Sequence, residues 1–380
     1  MSQQLKLKEA PKIDLWLCGS VIALLTLGLV MVYSSSSAHA AKSFGDPEFF
    51  IRRQLMWCTL GLGGIALVLR VPTHIFSRRA GWFALFAVVL CAIVLIPGIG
   101  VKVGGARRWL DLGLARFQPS EFAKVALVIL FAVVCSRRAA RGDTDTKSLI
   151  VPFLFAQIPI ALIYFEPDLG TAFVIEMVLL TMLLVAGLKI RVVAMVTLAI
   201  APIVYHLIMG THYRLRRVMG FIDPWAHRSD EGYQLTEALI SIGSGGLTGL
   251  GLGQGKKQLF FLPEAHTDFI FAILAEELGL IGVVFFVTAF SILVFRSVRI
   301  AMKAPDLFRV FLATGITAML AIPMLFNLAV VTGLVPTKGL PLPFMSSGGS
   351  NMLMALVCVG VLLRIHLETQ DGHDIGGEHA

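Results

Sequence analysis

Apolar stretches recur along this chain, each long enough to cross a hydrocarbon core of about 30 Å as a helix. They fall at 14–34, 54–72, 80–98, 119–136, 149–165, 169–187, 191–209, 268–295, 308–334 and 348–366. Backbone surrounded by lipid must satisfy its own hydrogen bonds, so the expected class is an all-α integral membrane protein with about ten transmembrane helices. Composition agrees: 57% of the 380 residues are hydrophobic, 15% are charged, and the mean hydropathy is +0.82, outside the range of ordinary soluble domains. The first run lacks a small-residue cleavage site and reads as a retained span. The expected organisation is a cytoplasmic segment over 1–13 and a ten-span domain over 14–366 with a large external loop at about 210–267. A disordered acidic cytoplasmic tail over 367–380 follows, carrying Glu368, Asp371, Asp374 and Glu378.

The net charge of +8 must be divided among the loops before it says anything about partners, and nucleic acid is not expected. Basic residues fill the hairpins at 70–79, 137–147, 189–191 and 296–309, and Lys6, Lys8 and Lys12 lie on the same side. That side is therefore expected to be cytoplasmic, with both termini on it. Positive charge on the other side is the exception: Lys102, Arg107, Arg108, Arg116, Arg214, Arg216, Arg217, Arg228, Lys256, Lys257 and Lys338. In the long loop such residues weigh little in topology, so the loop leaves open whether they serve a ligand. Arg107 and Arg108 sit in a short loop with almost no acid nearby, which favours an anionic ligand there. Cys18, Cys58, Cys91, Cys135 and Cys358 lie in or beside apolar runs without metal-ligand spacing and read as small core residues.

Residues that could carry chemistry cluster in the external segments. Gly105-Ala106-Arg107-Arg108-Trp109 precedes Gln118-Pro119-Ser120-Glu121-Phe122-Ala123-Lys124, where Pro119 marks a helix start. Glu121 and Lys124 share a helix face, either as a local ion pair or as the lining of a polar cavity. In Glu166-Pro167-Asp168, Asp168 suits the cap of the sixth span, and Glu176 deeper in that span should face the bundle interior. A glycine-rich stretch at 243–255 departs from the phosphate-loop pattern, having Leu250 where a glycine is needed and Lys257 after Lys256, and reads as a flexible, partly re-entrant loop.

Two further segments stand out. In Pro263-Glu264-Ala265-His266-Thr267-Asp268-Phe269, Thr267 or Asp268 could cap the eighth span. Asp268 also heads a strip continued by Glu276 and Glu277, where desolvation would suit it to general-base work. Between Gly333 and Ser350, prolines and glycines interrupt apolar sequence, the pattern of irregular backbone lining an enclosed cavity. All these segments emerge on one face. Cations suit a diphosphate, carboxylates suit proton transfer and an apolar wall suits a lipid tail.

These residues resemble the SEDS family of cell-wall proteins over nearly the whole chain. The resemblance rests on Met31-Val32-Tyr33-Ser34-Ser35, on the segments from Gly105 and Gln118, on Glu166-Pro167-Asp168-Leu169-Gly170-Thr171, on Leu262 to Ala272 and on Pro336-Thr337-Lys338-Gly339-Leu340. The wording around His266 and Lys338 is closer to the family's division branch, and Leu340-Pro341-Leu342-Pro343-Phe344 leans to its elongation branch. Ser347 replaces a common tyrosine, and Asn351 a serine.

The resemblance implies a fold like that of polyprenyl-dependent (GT-C-like) membrane glycosyltransferases. It also implies polymerisation of lipid II into glycan at the outer face of the cytoplasmic membrane, at the division septum. Asp268 matches the family's catalytic aspartate and would act as base in an inverting displacement of undecaprenyl diphosphate. Arg107, Arg108, Lys124 and Lys338 are candidates for the diphosphate. Trp109, Gln118, Glu121, Glu166, Asp168, His266, Thr267, Ser346, Gly348 and Gly349 are further candidates for lipid II. No organic cofactor is expected, and a divalent cation (Mg or Mn) would suit the diphosphate. The implied partners are a class B penicillin-binding protein, other divisome proteins, nascent glycan and membrane lipids. A lipid II flippase, an elongation polymerase and a non-catalytic scaffold are the competing readings.

Overall fold

The computed structural model describes residues 12–103, 105–113, 115–195, 198, 202, 216, 219–228, 232–255, 267–336 and 339–376, with backbone alone over 371–376. Its helices are α1 (Leu15–Phe44), α2 (Phe49–Arg70), α3 (Thr73–Leu95), α4 (Pro119–Ala140), α5 (Lys147–Phe165), α6 (Leu169–Val185), α7 (Tyr233–Gly245), α8 (Ile270–Lys303), α9 (Leu307–Val331) and α10 (Gly349–Gly376). Strands β1 (Gly100–Val103), β2 (Ala106–Asp111) and β3 (Arg116–Phe117) form a small antiparallel sheet between α3 and α4. Each expected span has a helix at its place except that at 191–209, which lies largely outside the described residues. Seven of the described helices are long and apolar enough to cross a membrane by length and composition, and Leu169–Val185 is a shorter apolar helix.

Local chemistry explains several helix ends. The Asp14 carboxylate accepts from the Leu17 N–H to start α1, and Asp306 accepts from the Arg309 N–H to start α9. Pro119 occupies the first turn of α4, where its missing N–H costs nothing. Glu121 in that turn and Arg137 and Arg138 in the last turn oppose the helix dipole. Helix α3 begins earlier than expected, at Thr73, because the arginines that mark its hydropathy boundary form its first turns.

Helices α4, α9 and α10 are largely enclosed, whereas α3 and α5 turn most of their apolar surface outward, with Trp82 and Phe155 among the exposed side chains. Helix α10 packs along α2, α1 along α8, and α4 meets α3, α6 and α9. At the end of the bundle away from the sheet, ion pairs tie the helices together. Arg296 of α8 meets Asp14 at 2.6 Å, and Glu368 of α10 accepts from Arg309 of α9 at 2.7 Å, from Arg364 at 2.9 Å and from the Thr73 hydroxyl of α3 at 2.5 Å. This corrects the expected tail: α10 continues through Gly376, so the boundary at 367 falls inside a helix. Glu368 is largely enclosed there, with partners on three helices.

The glycine-rich stretch also departs from the flexible loop expected. Helix α8 is broken at Gly279 (φ 61°, ψ −159°), a conformation essentially restricted to glycine. The break frees backbone groups inside an apolar bundle, and residues 246–251 satisfy them. The N–H groups of Leu250 and Gly251 donate to the Glu276 and Glu277 carbonyls at 3.0 Å, while Leu280 and Ile281 donate to the Gly246 and Leu247 carbonyls at 3.0 and 3.2 Å. The glycines thus allow two backbones to touch. Beside this junction the Ser34 hydroxyl donates to the Glu277 carboxylate at 2.6 Å and accepts from the Gly253 N–H at 3.0 Å.

Candidate functional site

Strand β2 carries an extra residue at Arg108, opposite the Val101–Lys102 step, and this bulge sends Arg107 and Arg108 to different partners. Arg107 turns back to α3, donating to the Leu95 carbonyl at 3.3 Å. Arg108 turns inward and its guanidinium lies 3.7 Å from the Asp168 carboxylate. Asp168 caps α6 as expected, accepting from the Thr171 N–H at 3.2 Å and the Thr171 hydroxyl at 2.8 Å. It also accepts from the Gln118 amide at 2.8 Å, and the Gln118 backbone N–H donates to the Ser350 hydroxyl of α10 at 2.9 Å. Cap and cation site are therefore one cluster, joining β2, α4, α6 and α10.

Glu166, in the turn before α6, is wholly buried, and neither carboxylate oxygen has a nitrogen or oxygen donor among the described residues. Burial, reinforced by the neighbouring Asp168 charge and opposed by Arg108, pushes its pKa up to about 8.

Asp268 lies two residues before the start of α8. Phe269 holds the cap position without a side-chain cap bond, so Asp268 does not serve as the helix cap. Its carboxylate abuts Gly339: a Cβ on residue 339 would lie 2.1 Å from Oδ2. Buried Asn327 of α9 donates from Nδ2 to the Asp268 and Leu340 carbonyls, both at 2.8 Å. The Ser346 hydroxyl donates to the Thr267 carbonyl and accepts from the Leu342 N–H at 2.8 Å. Gln54 of α2 donates to the Ser346 carbonyl at 3.1 Å. Residues 339–346 run as irregular backbone enclosed by the bundle, with Leu340, Leu342, Phe344, Met345 and Ser346 buried and Phe344 at φ 68°. The Asp168 cluster reaches the same segment, since Gly170 packs on Gly339 and Leu340.

The remaining candidates divide. Lys124 pairs with Glu121 at 2.9 Å, both largely buried, and Lys124 borders a narrow crevice walled by Val128, Ile175, Val178, Leu179 and Met319. The pair is deeper than Arg108 and surrounded by apolar side chains. Trp109 is half-buried in β2 opposite Val101, and Gly348 and Gly349 open α10, with Gly349 against the Trp57 indole. His266 and Lys338 lie outside the described residues. Among the described residues no three histidine, cysteine or acidic side chains gather to hold a metal ion. The sequence alone did not single out Gln54, and Gly339 entered only as part of the 336–340 segment. The available signal was a strongly polar amide within or at the edge of an apolar run.

The profile of the FtsW/RodA/SpoVE family, described as "Cell cycle protein", matches residues 15–371, and the chain belongs to this family. It is a multi-pass membrane protein of that family. Among its relatives, the probable peptidoglycan glycosyltransferase FtsW of Thioalkalivibrio sulfidiphilus is 42% identical over 370 residues, covering 97% of this chain and 92% of the relative. The protein of the same name from Trichlorobacter lovleyi is 42% identical over 352 residues, covering 93% and 92%. Among solved structures, a chain from work on structural coordination of polymerization and crosslinking by a peptidoglycan synthase complex superposes with a TM-score of 0.78. Its sequence identity is 28%, over 94% of this chain and 98% of that one. The rod shape determining protein RodA of Thermus thermophilus superposes with a TM-score of 0.68 at 27% identity, over 93% and 96%.

Proposed function

We infer that this chain is a peptidoglycan glycosyltransferase that polymerises lipid II into glycan strands for septal wall synthesis. The observation carrying this reading is the seating of Asp268 against Gly339, with Arg108 and Asp168 approaching the same segment through Gly170. Family membership and the FtsW names of the relatives favour the division role over elongation. The relation to a synthase complex coupling polymerization and crosslinking supports a penicillin-binding transpeptidase, here of class B, as partner. The site end of the bundle is assigned to the external face, with both termini cytoplasmic, on the strength of the basic hairpins at the other end.

In this mechanism Asp268 accepts the proton of the acceptor sugar's 4-hydroxyl as that oxygen attacks the donor's anomeric carbon. The bond from that carbon to the diphosphate oxygen breaks, the configuration inverts, and undecaprenyl diphosphate leaves. Negative charge grows on the departing diphosphate, where an arginine fork stabilises the transition state more than the ground state. Arg108 is assigned this role with Lys338. Arg107 is committed to Leu95 and Lys124 to Glu121, which makes both weaker candidates. A divalent cation would enter as counter-ion of the diphosphate.

The test is lipid II polymerisation by purified protein with its transpeptidase, wild type against Asp268→Ala. A folded Asp268→Ala protein is expected to retain only a residual rate of glycan synthesis, on the order of 10²- to 10⁴-fold below wild type. Glycan at the wild-type rate would overturn the general-base assignment, and lipid II crossing liposome membranes without polymerisation would replace this function with transport.

A further inference from the structure

We infer that Asn327 is a positioning residue for Asp268, locking the turn that carries the carboxylate to the irregular segment against which the carboxylate rests. The inference rests on the reading of Asp268 as the general base. Asn327 is 1% exposed on α9, and its Nδ2 donates to two backbone carbonyls at 2.8 Å: Asp268 on one side and Leu340 on the other. Both partners are acceptors only, so the amide NH2 must face them and the carbonyl oxygen must point elsewhere. That oxygen, Oδ1, is buried without a partner among the described residues. The unpartnered oxygen is a cost to stability, set against the two backbone carbonyls that the amide satisfies. What the amide supplies in return is a bridge between two segments that are 72 residues apart in sequence (340 − 268).

The bridge acts at the point that sets the carboxylate's direction. Leu340 follows Gly339, whose Cα faces Oδ2 of Asp268. The Asp268 carbonyl belongs to the peptide unit on the other side of the same Cα from the preceding Thr267 carbonyl, and that carbonyl accepts from Ser346. Ser346 in turn accepts from the Leu342 N–H. Two side chains therefore pin the successive peptide units that flank the Asp268 Cα, both to the 340–346 segment. With both peptide planes fixed, the Cα–Cβ vector is fixed, and the carboxylate approaches its substrate from one direction. A general base loses rate steeply when displaced by about 1 Å, whereas substrate affinity set by distant contacts does not change.

The test uses Asn327→Leu, which removes the donors while keeping the branched heavy-atom skeleton, and Ser346→Ala as an independent second variant. Both are compared with Asp268→Ala and with each variant combined with Asp268→Ala. Lipid II polymerisation is followed kinetically with the transpeptidase present, and folding by thermal unfolding in detergent. Expected are a kcat lower by roughly 10- to 100-fold and a KM for lipid II within about 2-fold of wild type in protein that remains folded. In the Asp268→Ala background, either substitution should cause no further loss, because there is no base left to position. Wild-type kcat in Asn327→Leu, or a loss that multiplies with that of Asp268→Ala, would overturn the positioning role while leaving Asp268 as base. Full activity in Asp268→Ala would overturn the base assignment itself, and the positioning role with it. Should Asn327→Leu fail to fold, Ser346→Ala carries the same expectation, and its wild-type kcat would count against the clamp.

Discussion

Oδ2 of Asp268 lies 2.1 Å from where a Cβ on residue 339 would be, so Gly339 leaves the space that the carboxylate fills. The restriction is one of volume, since contacts this short do not occur between real atoms. Gly339→Ala must move the carboxylate or the 339–346 segment. Lipid II polymerisation should fall roughly 100-fold, with Asp268→Ala/Gly339→Ala no worse than Asp268→Ala alone. Wild-type turnover in Gly339→Ala would show that this contact does not confine the base.

Arg108 faces Asp168 across 3.7 Å with a third of its side chain exposed, a geometry that leaves part of the fork available to an anion. Arg108→Ala should lower kcat on the order of 100-fold, as loss of a donor to developing negative charge does elsewhere. Arg108→Lys should recover only part of the loss, because an ammonium lacks the planar fork. Single-turnover rates with lipid II check both, and unchanged turnover in Arg108→Ala would remove it from the site.

Glu166 carries a pH dependence with a defined sign. Its pKa is raised from about 4.5 to about 8 by burial, so the folded protein holds a proton that the unfolded chain releases. Stability from this group is full below pH 4.5, falls as the pH rises from 4.5 to 8, and is flat above. Glu166→Gln should therefore unfold at a higher temperature than wild type at pH 8.5, with the difference shrinking towards pH 5. An equal difference at both pH values would contradict the assignment.

At the opposite end of the bundle, Glu368 accepts from Arg309 and Arg364 in a largely buried cluster. Removing it takes one partner from each arginine, while Arg309 keeps Asp306 and Arg364 keeps the Leu69 carbonyl, so Glu368→Ala should cost about 1–3 kcal/mol. Thermal unfolding in detergent measures this. Polymerisation per folded molecule should stay near wild type, because the cluster is remote from Asp268.

Gly279 sits at φ 61°, ψ −159°, and a Cβ there would lie 2.3 Å from the Gly249 nitrogen. Gly279→Ala should destabilise by about 1–3 kcal/mol from backbone strain alone, with separation of the 246–251 loop from α8 adding to it. Faster hydrogen exchange at the Leu250 and Gly251 amides, which donate to the α8 carbonyls, would report that separation. Unchanged exchange would mean the loop is held by other contacts.

What was legible in the sequence follows from physics that acts within single segments. Apolar runs of membrane length announced the described helices other than α7, which lies in the expected external loop. Pro119 and Asp168 announced where α4 and α6 begin, and charge spacing announced the Glu121–Lys124 pair. The small sheet at 100–117 was not announced, because it consists of short strands without clear alternation. Nor was the role of the glycines at 243–255, which answer to freed carbonyls on α8, a helix reached only through chain folding.

The opening pattern of apolar runs thus determined the class of protein, the helices and the segments in which chemistry could reside, since hydropathy and capping depend on neighbouring residues. Tertiary structure alone decided which of those residues meet. Arg108 rather than Arg107 turns to Asp168, because the bulge in β2 re-aims Arg108 while Arg107 is held against α3. Asn327, Gly339 and Ser346 surround the turn at Asp268 because α9 and the segment after it fold back across the start of α8. Contacts between residues so distant in sequence are fixed by packing, and no local pattern records them.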